Sequence, residues 1–260
     1  MEAPDVLALD FDGVLCDGLV EYFQTAWQTY TQVWMVGESP PPKGMAEQFY
    51  RLRPVIETGW EMPVLIRAMV EGSSEDDILD DWRTICDQII SRDGLKAGEI
   101  MDQVDGRRDR QIQTSRSDWL ALHQFYPGIT PQLRSLLANP NLELAIITTK
   151  EARFAQELLQ MENIDFPGDR IIGKSSKRPK TETLLTFNPS EKRIWFIEDR
   201  WKTLLSVAQH PQLTSVELFL ATWGYNTAAE KQAADSHPRI HSLSLDTFSQ
   251  PLNQWPIMGS

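Results

Sequence analysis

Asp10 and Asp12 stand two residues apart in Asp10-Phe11-Asp12-Gly13, directly after the apolar run Val6–Leu9. In extended backbone such residues face the same side, about 6–7 Å apart, and two carboxylates that close need a cation or a shared proton. Gly13 lets the chain turn sharply, so one aspartate can face a bound group while the other approaches at an angle. A plain strand-end turn, in which Asp and Gly are common, uses the same residue types.

Three later segments put groups suited to phosphate at comparable places. Ile146-Ile147-Thr148-Thr149-Lys150 ends an apolar run in hydroxyls ahead of a helix, whose free N–H groups and dipole suit an anion. Lys177, Arg178 and Lys180 precede another helical stretch. Arg193-Ile194-Trp195-Phe196-Ile197 runs into Glu198-Asp199, a second pair of carboxylates at a strand end.

These residues need elements to position them. The short apolar runs Val6–Leu9, Leu142–Ile147, Arg170–Ile172, Arg193–Ile197 and Val216–Ala221 read as strands, with Glu151–Glu162, Thr181–Thr186 and Trp201–Gln209 as helices between them. Strands alternating with helices predict an α/β fold whose parallel sheet is covered on both faces. Open sheets of that kind carry their chemistry at the carboxyl ends of the strands.

Between about residues 17 and 124 the texture changes: no strand run stands out, and Tyr22, Ala26, Tyr30 and Val33 recur at helical spacing. Breaks at Ser39–Pro42, Gly59, Gly72–Ser74 and Asp93-Gly94 divide this block into four or five helices, inserted after the first strand. The block holds 11 basic and 19 acidic side chains against 14 and 18 elsewhere, so most of the excess negative charge lies in it. Its run Glu75–Asp81 reads as a helix start favoured by the macrodipole, since the spacing and central glycine of a calcium loop are absent. Residues 254–260 read as a tail.

Composition narrows the function. A chain of 260 residues, 41% hydrophobic, can bury one large core or two. A net charge of −12 repels nucleic-acid backbone and anionic lipid, so neither is an expected partner; a small phosphorylated substrate that shares a cation with carboxylates is compatible. Cys16 and Cys86 support neither a disulfide framework nor a thiolate zinc site, and His123, His210, His237 and His241 show no metal-binding spacing. No run approaches the roughly 18 apolar residues that span a bilayer. Residues 1–5 lack the basic start of a signal peptide, so a cytoplasmic setting is expected.

Taken in order, Asp-x-Asp-Gly, strand-Thr, Lys and strand-Glu-Asp resemble the four motifs of the haloacid dehalogenase-like superfamily of phosphatases and phosphotransferases. Leu7–Leu15 is similar to its first motif, Ile146-Ile147-Thr148 to its second, Lys180 to its third and Ile197-Glu198-Asp199 to its fourth. Phe125-Tyr126-Pro127-Gly128 is similar to the junction where a helical cap rejoins the core. The resemblance covers the whole chain. It implies a Rossmann-like core over residues 1–16 and 125–260, and an all-helical cap over 17–124 that follows the first strand and closes over the site.

The resemblance further implies a Mg²⁺-dependent phosphatase acting on a small phosphorylated metabolite. Asp10 is then the nucleophile that attacks phosphorus, and Asp12 the acid that protonates the leaving alcohol and later deprotonates water. Mg²⁺ is held by Asp10, the Asp12 backbone carbonyl and Asp199, with Glu198 a direct ligand or a supporting group. Thr148, with Thr149 beside it, binds the transferring phosphoryl group, and Lys180 holds nucleophile and phosphoryl together. A phosphomutase, a dehalogenase and a non-catalytic binding module of this fold are the rivals; Asp12 disfavours the dehalogenase, because halide departure needs no acid.

Thr149 stands where many relatives have asparagine, and Lys177 and Lys180 both flank Pro179; Lys180 is preferred because it directly precedes the helical Thr181–Leu184. Within the insert, Arg53, Glu57 and Trp60 are candidate contacts for a polar leaving group, weighed against a surface helix end with ordinary charge pairs. Arg107-Arg108-Asp109-Arg110 reads as a solvated helix face rather than a site for a second anion. Cys16 reads as a packing residue, and Trp27, Trp34, Trp60 and Trp119 as core or pocket walls.

Overall fold

The computed structural model describes residues 3–37 and 39–255. It divides into two compact units, one of residues 1–17 with 124–260, the other of residues 18–123.

In the first unit Val6-Leu7-Ala8-Leu9 is wholly buried, so neither pleated face meets water, the pattern of an interior strand in a parallel sheet. This strand, β1 (Val6–Leu9), is followed by a two-stranded antiparallel ribbon of β2 (Cys16–Asp17) and β3 (Gln124–Phe125). The remaining strands are β4 (Glu143–Ile147), β5 (Ile171–Ile172), β6 (Ile194–Glu198), β7 (Glu217–Ala221) and β8 (Ile240–Leu243). Six of them form one sheet in the order β5-β4-β1-β6-β7-β8, every pairing parallel. From β1 the chain passes outward to β4 and β5, then crosses to β6 on the other side. Connections therefore part on either side of β1, and the crevice past its carboxyl end is where such a sheet binds ligands.

The second unit is built from α1 (Leu19–Val33), α2 (Met45–Leu52), α3 (Glu61–Val70), α4 (Glu75–Arg92) and α5 (Ala97–Leu120). The predicted breaks at Ser39–Pro42, Gly59, Gly72–Ser74 and Asp93-Gly94 all fall between these helices. Ser74 caps α4, its hydroxyl accepting from the Asp77 N–H at 3.1 Å, a cap that contributes about 1 kcal/mol. The expected solvated face at Arg107–Arg110 needs correction. Asp109 and Arg110 are exposed, but Arg108 donates from Nε (2.7 Å) and from a terminal nitrogen (2.8 Å) to Glu21, which is 1% exposed. A buried carboxylate needs such a partner.

Helices α6 (Ile129–Leu137), α7 (Ala152–Met161), α8 (Lys180–Leu185), α9 (Trp201–Ala208), α10 (Ala228–Asp235) and α11 (Leu245–Phe248) complete the first unit. α7 turns one stripe, Phe154, Ala155, Leu158 and Leu159, inward. Leu184, Leu204 and Val207 join Val6, Ala8, Phe196 and Leu218 in a continuous core. All five predicted strands are present. β8 was not expected, because His241 and Ser242 interrupt its apolar pattern, and β2 and β3 are too short to show a period. The tail reading also fails where it can be checked: Trp255 is 5% exposed and packs on Trp195, Phe219 and Phe248, while residues 256–260 lie outside the described residues. Among the described residues no helix is long and apolar enough to cross a membrane.

Candidate active site

Asp10 is the first residue beyond β1, and its backbone N–H still donates to the Ile197 carbonyl at 2.9 Å. That bond continues the β1/β6 register and sets Asp10 level with Glu198. Asp10 Oδ1 accepts from the Phe11 N–H at 2.7 Å and lies 2.8 Å from Lys180 Nζ. Lys180, at the start of α8, also donates to Glu198 Oε2 at 2.7 Å. The other Glu198 oxygen accepts the N–H groups of Asp199 (3.1 Å) and Arg200 (2.9 Å).

Asp199 is held by the segment after β7. The Tyr225 N–H donates to its Oδ2 at 2.8 Å, and Asn226 Nδ2 donates to its backbone carbonyl at 3.1 Å and to that of Ala221 at 2.8 Å. Gly224 has no room for a side chain: a Cβ there would lie 2.3 Å from the Gly13 carbonyl oxygen and 2.4 Å from Asp199 Cβ.

Asp10, Glu198 and Asp199 are 6%, 0% and 1% exposed and offer oxygens within 4.8 Å of one another. Burial, and then the Glu198 charge, push the Asp10 carboxyl up to about 7 despite Lys180. Burial likewise raises Glu198 and Asp199. Burial opposes the Lys180 ammonium, but the Asp10 and Glu198 carboxylates override it and keep the lysine charged. Among the described residues Lys180 contacts two of these three carboxylates, Asp10 and Glu198, and the negative charge left over suits a divalent cation. Asp199 Oδ1 points the same way: it is buried and accepts no hydrogen bond from the described residues, an arrangement that is costly unless a ligand completes it. The donor set, all hard carboxylate oxygens, fits Mg²⁺.

The other predicted residues are placed as follows. Thr148 is 6% exposed at the end of β4, its hydroxyl accepting the Lys150 N–H at 3.1 Å, whereas Thr149 is exposed. Asp12 does not join the carboxylate trio and pairs with Lys150, Nζ to Oδ1, at 3.0 Å. Lys180 reaches Asp10; Lys177 is exposed, in left-handed backbone with φ 52°. Arg53, Glu57 and Trp60 belong to the helical unit. The Arg53 guanidinium lies 5.0 Å over the Tyr22 ring and donates to the Ile56 carbonyl at 3.0 Å; the exposed Glu57 donates its N–H to Glu61 at 3.2 Å; Trp60 is half-buried ahead of α3. Trp27, Trp34 and Trp119 donate their indole N–H groups to the Ser39 carbonyl, Asp93 and Glu21. Cys16 is fully buried and its thiol is pushed far up by burial, which suits packing.

Sequence reasoning missed Lys150, Gly224, Tyr225 and Asn226. Thr222-Trp223-Gly224-Tyr225-Asn226 follows an apolar strand run just as the other motifs do, and that position was the available signal.

A family model described as haloacid dehalogenase-like hydrolase matches residues 4–210. No curated protein matches the chain. Among solved structures, a predicted phosphoglycolate phosphatase from Haemophilus somnus 129pt is 16% identical with a TM-score of 0.58, covering 96% of each chain. A haloacid dehalogenase-like family hydrolase from Streptococcus pneumoniae is 17% identical with a TM-score of 0.53, over 91% of this chain and 92% of that one. Protein tyrosine kinase A from Mycobacterium tuberculosis is 16% identical with a TM-score of 0.54, over 95% and 97%. At these identities the likeness is one of fold, and a fold hosts more than one chemistry. The family model, by contrast, matches the sequence itself from before β1 to beyond α9 and includes every member of the carboxylate cluster: this chain belongs to the haloacid dehalogenase-like hydrolases.

Proposed function

We propose that this hydrolase is a Mg²⁺-dependent phosphatase that cleaves a small phosphate monoester through a phosphoaspartate at Asp10. The observation that carries the reading is the buried trio Asp10, Glu198 and Asp199, the first two paired with Lys180, with Asp199 Oδ1 lacking a partner among the described residues.

Asp10 attacks phosphorus, forming an O–P bond as the ester P–O bond breaks, and Asp12 gives a proton to the departing oxygen, which leaves as an alcohol. In the second half Asp12 takes a proton from water as the water oxygen bonds to phosphorus. The acyl phosphate P–O bond breaks, inorganic phosphate leaves and the Asp10 carboxylate is restored. Lys180 favours the ionised form of Asp10 against its burial and offsets the charge of an incoming phosphate, and the Thr148 hydroxyl is the proposed phosphoryl contact. Mg²⁺, held by Asp10, Asp199 and the Asp12 carbonyl, would supply Lewis-acid neutralisation of the phosphoryl oxygens. Glu198, whose two oxygens already accept hydrogen bonds, suits a supporting role.

In this reading the helical unit selects the substrate, with Arg53, Glu57 and Trp60 as candidate contacts. Two unpaired buried cysteines suit a reducing, cytoplasmic setting. The test is phosphate release from a panel of sugar phosphates, phosphoglycolate and nucleotides, with Mg²⁺ and with a chelator. Release that requires Mg²⁺ is expected. An isomerised ester without phosphate release would indicate a mutase, and no turnover of any ester would indicate a binding module.

A further inference from the structure

Lys150 has no part in the chemistry above, yet the structure treats it as a built component. Its ammonium lies 3.0 Å from Asp12 Oδ1, with the lysine side chain 9% exposed and the aspartate 17%. Immobilising a long lysine side chain costs rotamer entropy, and burying its charge costs more. The backbone that aims it is fixed on both sides: the Lys150 N–H donates to Thr148 Oγ1 at 3.1 Å, and its carbonyl accepts the Lys174 N–H at 2.9 Å. Gly173 allows that approach, since a Cβ there would lie 2.7 Å from the Lys150 carbonyl oxygen. Two lysines thus serve two aspartates two residues apart: Lys180 contacts Asp10 and Glu198, and Lys150 contacts Asp12.

We infer that Lys150 is a positioning residue for Asp12: its ammonium, paired in charge with Oδ1 at 3.0 Å, draws the carboxyl toward the place from which it hands a proton to the leaving oxygen. The inference rests on the phosphatase reading above. Proton transfer tolerates little misorientation, so releasing the anchor should matter most where the leaving group needs its proton.

The experiment measures kcat/KM, which reports on the steps through phosphoaspartate formation, for an alkyl phosphate and for p-nitrophenyl phosphate, whose anion leaves unaided. Lys150→Met is expected to lower the alkyl value by about 10- to 100-fold, part of the factor a positioned acid contributes, and the aryl value by less than about 3-fold. Lys150→Arg, which keeps the positive charge, is expected to restore most of the alkyl rate. Equal losses on both esters would make Lys150 a phosphate contact and overturn the inference, as would no loss on either. If Lys150→Met does not fold, Lys150→Gln takes its place with the same required selectivity between esters. Failure of the phosphatase reading is separate: the wild type itself would then release no phosphate from either ester, and the inference would fall with it.

Discussion

Gly13 stands so close to Asp199 that a Cβ on it would lie 2.2 Å from Asp199 Oδ2, and its φ of +86° is one that L side chains rarely adopt. The turn after Asp12 and the carboxylate after β6 therefore fit together only because position 13 carries no side chain. Gly13→Ala should displace Asp199 and strain the turn, costing on the order of 1–3 kcal/mol. A lowered melting temperature, and a loss of Mg²⁺-dependent turnover beyond what that destabilisation explains, are expected. Wild-type turnover in Gly13→Ala would show that the contact is dispensable.

Lys180 neutralises one charge among three buried carboxylates. Breaking a buried ion pair from one side costs about 3–5 kcal/mol, so Lys180→Met should be markedly less stable without metal. Mg²⁺ should recover part of that loss by binding only the folded state. Turnover should fall by about 100-fold or more, while Mg²⁺ affinity, read by calorimetry, should not weaken, because an ammonium beside Asp10 and Glu198 opposes a cation.

Much of this arrangement was legible in the sequence, because each motif sits where an apolar run ends. Val6–Leu9 and Ile194–Ile197 are uninterrupted runs buried on both faces, so the residues after them, Asp10 and Glu198-Asp199, could be assigned to strand ends before any coordinates, though not the direct pairing of those two strands. Lys180 could be preferred over Lys177 from the helical pattern after Pro179. What was not legible depends on contacts remote in sequence. Tyr225 holds Asp199 through a backbone N–H that leaves no mark on side-chain type, and Lys150 meets Asp12 across 138 positions. Arg108 looked like a solvated charge because its partner, Glu21, is 87 residues away on α1.

That pair carries its own prediction. Glu21 accepts two bonds from Arg108 and one from Thr25 at 2.7 Å. Arg108→Met should destabilise the helical unit by about 3 kcal/mol, because it strands a buried carboxylate. Arg108→Lys should recover only part, since an ammonium cannot reproduce the two-pronged contact. Urea titrations of the two variants would measure both effects.

Asp93, after α4, is held down to about 2, first by the Arg92 hydrogen bond and further by Trp34 and the Arg67 charge. A carboxyl depressed in the folded state stabilises it above the unfolded value near 3.8 and loses that contribution as pH falls towards about 2. At this partly solvated position the contribution is on the order of 1 kcal/mol. Asp93→Asn should therefore unfold at lower urea than wild type near neutral pH, and the gap should narrow as pH falls below about 4. A gap that widens on acidification would contradict the assignment.

In the proposed mechanism Asp10 takes the phosphoryl group. Rapid acid quench of the enzyme with Mg²⁺ and a turned-over ester, followed by peptide mass spectrometry, tests it most directly. Phosphate attached to Asp10, formed fast enough to account for turnover and absent in Asp10→Asn, is the predicted result. Turnover that persists in Asp10→Asn, or a phosphoryl group found on another residue, would contradict it.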